Sequence, residues 1–330
     1  MLHDVDKVFL SIIIINYRTP NMVTDCLESL IPELDGDEVR IVLVDNNSGD
    51  GSIEIIEKWL AKNNDSSLVL FIKSPANGGF SSGNNIGINA IEAKFYLLLN
   101  SDTLIRKGAI KQLLKTAENN ESAGLITPRL EWLDTKEQVS CFNYISPISE
   151  FISSSKTAII TKIFRKYNVP IQVSNEISFP PWSSFACILV KKEVFDGVGL
   201  MDEGYFMYFE DAEFCYRAKR AGWKVLNEPS ARIVHLRGGS SPVKENTRLR
   251  KRLPRYYYES RARYFYQVYG WAGLTMANLL WSMGRLISRP QQLLCGRDDK
   301  AASERQWLDI WTNWLQPLKS YTHPGSTKSK

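Results

Sequence analysis

None of the five cysteines, Cys26, Cys141, Cys187, Cys215 and Cys295, stands in a C-x-x-C pair. That absence excludes a disulfide framework and a cysteine-based zinc site, and it fits a reduced, cytosolic setting. Histidine is scarce: of three, only His235 lies away from the termini. The N-terminal apolar run VFLSIIIIN is short, follows no basic region and precedes no small-residue cleavage site, so it reads as a strand rather than a signal peptide. The segment NGGFSSGNNIG has Gly78 and Gly83 at phosphate-loop spacing, but Asn84-Asn85 stands where lysine and a hydroxyl residue belong. Internal repeats are absent. The 330 residues do suffice for one large or two modest domains with a proper core.

Charge is unevenly placed. Lys244 to Arg263 holds eight Lys/Arg and two Glu, a local balance of +6 against +5 for the whole chain, which leaves the remainder about neutral. A basic patch implies an anionic partner: nucleic acid, membrane headgroups or a phosphorylated substrate.

The first half alternates strands and helices. Continuous β-branched runs such as VFLSIIIIN and VRIVLVD suit strands covered on both faces. The pattern predicts an α/β fold with a mostly parallel central sheet and helices on both faces, in which ligands bind at the carboxyl ends of strands. Asp45 ends the second strand and Asp102 follows the fourth. From Trp132 to Ile177 the periodicity loosens, and ISPISEFISSSKTAIITK reads as an insertion or mobile loop.

Four features offer chemistry. Asp102, in LLLNSDT, fits a turn aspartate, or a ligand for Mg²⁺ or Mn²⁺ bridging to substrate phosphates. Asp45, in VDNNSGDGS, fits an Asx turn or an acceptor for a base or ribose. His235 fits a satisfied loop histidine, or the nitrogen ligand of a cation held by Asp102. In YFMYFEDAEFCYRAKRAGW, the acids Glu210, Asp211 and Glu213 follow a run of aromatics. A helix dipole accounts for one or two of them. A carboxylate against an apolar wall also has the raised pKa that a general base needs, and Arg217, later on the same helix, is placed to orient it.

Six segments in order, SIIIINYRTP, VDNNSGDGS, NGGFSSGNNIG, LLLNSDT, VGLMDEGYFMYFEDAEFCYRAKRAGW and VHLRGGSS, resemble glycosyltransferase family 2. These are inverting nucleotide-sugar transferases of the GT-A fold, and the string is similar to the bacterial rhamnosyltransferase-like branch that builds surface polysaccharide. The resemblance spans roughly Val8 to Ser241. It implies a donor pocket lined by Asn16, Tyr17 and Arg18, by Asp45 and Asn47, by Asn77, Gly79, Phe80, Gly83 and Asn84, and by Asn100, Ser101 and Asp102. Asp102 takes the last place of the family's D-x-D motif, whose first acid is here Asn100. A divalent cation, Mg²⁺ or Mn²⁺, is implied on Asp102 and His235. Asp211 matches the catalytic base, with Glu210 beside it. Trp182, Glu210, Asp211 and Arg217 are implied on the acceptor side. The implied donor is dTDP-rhamnose, with a UDP-sugar as the alternative, and the implied acceptor is a glycan or lipid-linked sugar. A non-catalytic nucleotide-sugar or glycan binder is the competing reading. The enzymatic reading requires Asp45, Asp102, His235 and Asp211 to face one cleft.

The resulting division is a GT-A domain over 1–243, its nucleotide-binding half about 1–130 and acceptor-binding half about 131–243, followed by a basic and aromatic helical extension over 244–330. The charge-free run Tyr264–Gly284 is long enough to span a bilayer as a helix, yet its polar residues and three glycines argue against insertion. With Arg248–Arg263 and the neighbouring tyrosines it predicts a peripheral seat on anionic lipid at the inner face of the cell membrane, in a cytoplasmic protein. No nucleic-acid fold signature accompanies the patch. The run AASERQWLDIWTNWLQPL places Trp307, Trp311, Trp314, Leu315 and Leu318 on one helical face, and THPGSTKSK reads as a disordered tail. Oligomeric state stays open.

Overall fold

The computed structural model describes residues 8–36, 38–63, 68–237, 242–295 and 303–326. The run VFLSIIIIN forms β1 (Val8–Asn16). There follow α1 (Pro20–Leu30), β2 (Val39–Asp45), α2 (Ser52–Asn63), β3 (Val69–Lys73), α3 (Gly79–Ala90), β4 (Ala93–Asn100), the short β5 (Thr103–Ile105), α4 (Ala109–Asn119) and β6 (Ala123–Glu131). Next come the two-residue β7 (Cys141–Phe142), α5 (Pro147–Ser155), α6 (Ala158–Ile163), the two-residue β8 (Trp182–Ser183), β9 (Cys187–Lys191), α7 (Lys192–Val198), α8 (Glu210–Arg220) and β10 (Lys224–His235). The chain closes with α9 (Val243–Arg248), α10 (Arg255–Cys295) and α11 (Gln306–Asp309).

Eight strands form one sheet in the order β3-β2-β1-β4-β9-β6-β10-β5. β1 runs parallel to β2 and β4, β2 to β3, and β6 to β10. β9 is antiparallel to β4 and β6, and β5 is antiparallel to β10. The pleat sends Leu10, Ile12 and Ile14 of β1 into a core with Leu27 of α1, Ile56 of α2 and Leu113 of α4. Ile13 points to the opposite face, where Gly87 of α3 lies so close that a Cβ there would meet Ile13 Cγ2 at 2.4 Å. Both faces are therefore covered, as the unbroken apolar run requires.

The chain divides into two compact units that do not follow chain order. The first holds the sheet: residues 1–141, 172–203 and 214–240. The second gathers residues 142–171, 204–213 and 241–330.

Three sequence expectations change here. The Ser/Thr-rich segment read as a loop is helical, because Ser146 and Ser149 form a reciprocal capping box with Pro147 in the first turn. The tryptophan-rich run is not one helix. Only Gln306–Asp309 is helical; Asn313 then takes φ 56° and Pro317 follows. Trp307 instead packs on Trp281, and Trp314 packs on Trp271 while donating to Thr275 Oγ1 at 3.0 Å. The start of the expected tail is held as well: Thr322 donates through N and Oγ1 to the Glu259 carboxylate at 2.9 and 3.0 Å. The last four residues, like Gly238–Ser241 at the end of the sixth motif, lie outside the described residues.

Candidate active site

In the first unit, strand register does the assembly. Parallel pairing sets Asn16 beside Asp45 and Ile15 beside Asn100, so three motif ends share the carboxyl edge of the sheet. Asp45 is fully buried, with 0% exposure. It accepts from Asn16 Nδ2 at 2.6 Å, Ser48 Oγ at 2.6 Å and Ser48 N at 3.1 Å. Such charge-assisted bonds hold a buried carboxylate that would otherwise be costly. Arg18, at φ 59°, donates from Nε to Ser48 O at 2.9 Å and stacks on Tyr17 at 5.2 Å. Asn47, at φ 56°, is exposed beside it. Asn77 Oδ1 accepts from Asn46 Nδ2 and Gly79 N, each at 3.0 Å. Phe80 O accepts from Asn84 Nδ2 at 3.0 Å, and Gly83 packs its backbone on Ile15. Thr19 Oγ1 lies 3.3 Å from Ser101 Oγ, which ties this network to the residue before Asp102. Asn16, Asp45 and Asn84 are thus buried organisers, while Arg18 and Asn47 are exposed and Tyr17, Phe80, Asn100 and Ser101 partly so.

Asp102 and His235 meet because β5 folds back along the end of β10, pairing Thr103 with His235. Leu236 N donates to Asp102 O at 2.9 Å. His235 Nε2 stands 3.4 Å from Asp102 Oδ1, and His235 Nδ1 is buried without a hydrogen-bond partner. A separation near 3.4 Å is long for a hydrogen bond but close to the about 3 Å between adjacent ligands of a small octahedral cation with bonds of about 2.1 Å. An oxygen–nitrogen pair at that spacing fits two ligands of Mg²⁺ or Mn²⁺. Among the described residues no group of three or more His, Cys, Asp and Glu gathers that could hold a cation alone.

Sequence reasoning passed over Gln138. It is buried, donating from Nε2 to His235 O at 2.7 Å and to Glu131 O at 3.0 Å, and its Oε1 accepts from Arg237 Nε. No local signal marks it. Of the acceptor-side candidates in this unit, Trp182 is buried, and Arg217 donates to the carbonyls of Val198 at 2.5 Å and Leu200 at 3.0 Å while stacking on Phe214.

Asp211 and Glu210 belong to the second unit. The aromatics before them dock on α10: Phe206 against Tyr256, Phe209 against Tyr257 and Tyr264, with Met207 O accepting from Ser260 Oγ at 3.1 Å. Tyr208 and Phe209 take φ 74° and 71°, a costly conformation for two consecutive side-chain-bearing residues. Burial pushes the Glu210 carboxyl well above the usual carboxylate range, and the charge of Asp211 adds to the shift. Glu210 Oε2 is buried with no hydrogen-bond partner, whereas Asp211 is partly exposed and accepts from Ala212 N at 2.8 Å. Of the adjacent acids, Asp211 is the accessible one and Glu210 the one whose carboxyl burial pushes up.

The basic segment is partly neutralised by acids distant in sequence. Arg252 pairs with Asp309 at 2.7 Å, and buried Arg261 pairs with Glu150 at 2.7 Å. Tyr256, Tyr258 and Tyr264 are core residues rather than a surface. Gly270 interrupts α10 at φ 67°. Past it, Leu274, Ala277 and Trp281 are buried together with the polar Asn278, Arg285 and Ser288, while the apolar Met276, Leu279, Met283, Leu286 and Ile287 are exposed. Leu308, Trp311, Leu315 and Leu318 add a second exposed apolar row. No helix among the described residues is long and apolar enough to cross a membrane.

The doubly covered sheet has the GT-A-like fold. The mannosyltransferase PcManGT from Pyrobaculum calidifontis, solved with GDP-Man and Mn²⁺, superimposes with a TM-score of 0.52 at 12% identity, covering 94% of this chain and 86% of that one. Residues 11–140 match the family model described as Glycosyl transferase family 2. It is 28% identical over 218 residues to a low-salt glycan biosynthesis hexosyltransferase of Haloferax volcanii, covering 64% of this chain and 62% of the relative. It is 26% identical over 219 residues to the N-acetylglucosaminyl-diphospho-decaprenol L-rhamnosyltransferase of Mycobacterium tuberculosis, covering 62% of this chain and 68% of the relative.

Proposed function

We propose that the chain transfers a sugar, with inversion, from a nucleoside-diphosphate donor to a hydroxyl of a glycan or lipid-linked acceptor in surface polysaccharide synthesis. The observation that carries this reading is the carboxyl edge itself, where Asp45 anchors one loop and Asp102 and His235 form a cation-sized donor pair. The backbone and side chains around Asp45 receive the base and ribose, with Tyr17, Arg18 and Asn47 as accessible contacts. Asp102 and His235 would hold a divalent cation, which when bound neutralises charge on the leaving diphosphate. Asp211 takes the proton of the attacking hydroxyl as the new glycosidic bond forms and the old one breaks. Asp211 is the more accessible of the two adjacent acids, and Glu210 is buried beside it.

Rhamnose from dTDP-rhamnose is the donor this reading favours, supported by the rhamnosyltransferase among the relatives; a UDP-sugar is the alternative. A donor panel with and without Mn²⁺ or Mg²⁺, read by nucleoside diphosphate release, tests it. A chain that binds nucleotide but releases no sugar to any acceptor supports the non-catalytic reading instead.

The exposed apolar α10 face supports a peripheral seat on the inner membrane leaflet. Tyr264–Gly284 carries no charge, the first exposed charge after it on the helix is Arg289, and Lys319 closes the second row. Basic residues at the ends of an apolar face match anionic headgroups. Two copies of that face meeting each other would bring like charges together.

A further inference from the structure

Arg237 is unexplained by the fold. It takes φ 58°, a conformation L residues rarely adopt, so its side chain is turned at a cost. Three contacts hold it. Nε donates to Gln138 Oε1, Nη2 donates to Val139 O at 3.2 Å, and the guanidinium lies 5.5 Å over the Trp132 ring. Gln138 is itself fixed by the carbonyls of Glu131 and His235. Nη1 donates to none of the described residues. The group is half-buried, and the main chain of Asp102 accepts from N of the adjacent Leu236.

A cation oriented from three sides in a partly desolvated place, with donors left over, is a built anion site. Charge balance says which anion. Asn100 stands where a second acid would supply charge for a metal, so Asp102 alone contributes a carboxylate there. One acid fewer weakens a cation's hold; one fixed guanidinium adds positive charge that needs no metal. We propose that Arg237 binds the diphosphate of donor and product directly, that Gln138 is its positioning residue, and that diphosphate binding in this protein therefore survives metal removal better than a metal-only site allows. This rests on the nucleotide-sugar reading above.

The test is calorimetric binding of dTDP and UDP to the full chain, with Mn²⁺ and with EDTA. Wild type retains measurable affinity in EDTA. Arg237→Ala loses roughly tenfold to a hundredfold, the range of a charged hydrogen-bonding group, in both buffers. Arg237→Gln, which keeps amide donors but no charge, guards against a folding defect and shows the same loss; Arg237→Lys recovers part of it. Gln138→Ala weakens binding less, and added to Arg237→Ala it weakens it no further, because the two act through one contact. If Arg237→Ala and Arg237→Gln bind both nucleotides as wild type does, or if wild-type binding vanishes in EDTA, the inference is overturned while the sugar-transfer reading stands. If wild type binds neither nucleotide under either condition, both fall.

Discussion

His235 Nε2 lies 3.4 Å from Asp102 Oδ1 although one residue follows β4 and the other ends β10. The antiparallel pairing of β5 with β10 creates that relationship, and it makes the pair's role measurable. Asp102→Asn and His235→Ala should each weaken Mn²⁺ binding in the presence of nucleoside diphosphate. Turnover should fall by about 10²-fold for Asp102→Asn, a typical loss when one stabiliser of developing charge is removed. Wild-type Mn²⁺ titration curves in both variants would remove the cation from this site.

The acidic pair should separate by substitution. Asp211→Asn is expected to cut single-turnover sugar transfer by about 10² to 10⁴, the usual contribution of a general base. Glu210→Gln, isosteric with the protonated acid, should retain most of it. Equal losses in both variants would contradict the assignment of Asp211, rather than Glu210, as the base.

Stability should depend on pH through Glu210. Its carboxyl is raised in the folded chain, first by burial and then by Asp211. A raised pKa means the folded state binds more protons than the unfolded one between the two values. The stabilising term is therefore complete below the ordinary carboxylate value and is lost as pH rises through the folded pKa. Thermal unfolding followed from acidic to neutral pH should show a decline that Glu210→Gln flattens. An unchanged slope in the variant would refute the linkage.

Two glycines test packing against backbone freedom. Gly87→Ala places a Cβ 2.4 Å from Ile13 Cγ2 and should cost about 1–3 kcal/mol in denaturant unfolding. Gly197, in α7, has nothing within 4 Å of its Cβ position. There, alanine should be neutral or stabilise by up to about 1 kcal/mol. The reverse ranking would mean that α3 does not pack on β1 as described.

The exposed apolar helix face should govern membrane contact. Leu279 is 52% and Leu286 60% exposed, so replacing both by glutamate should leave folding intact. Co-flotation with anionic liposomes at low salt is expected to fall several-fold in the double variant. It should also fall in wild type as salt screens the headgroups. Flotation that ignores both changes would place the contact elsewhere or nowhere.

Strand and helix periodicity made the sheet legible: VFLSIIIIN could only be a doubly covered strand, and β1 has those bounds. Motif order carried the family, since Asp45, Asp102 and His235 each close a segment whose type is locally readable. Local composition misled wherever distant residues intervened. The +6 segment met Glu150 and Asp309, its Tyr256 and Tyr258 became core, and the loop after Ser146 folded because two serines capped each other. Gln138 carried no signal at all, because its importance lies in three partners that only folding supplies.

Alternation of apolar residues, turn chemistry and motif order are properties of neighbours along the chain, so the sequence by itself determined the α/β scaffold and its candidate chemistry. Which acid is buried, which arginine is aimed and which apolar face stays uncovered were decided by tertiary structure. Desolvation and charge pairing depend on distance in space, and chain position does not encode them.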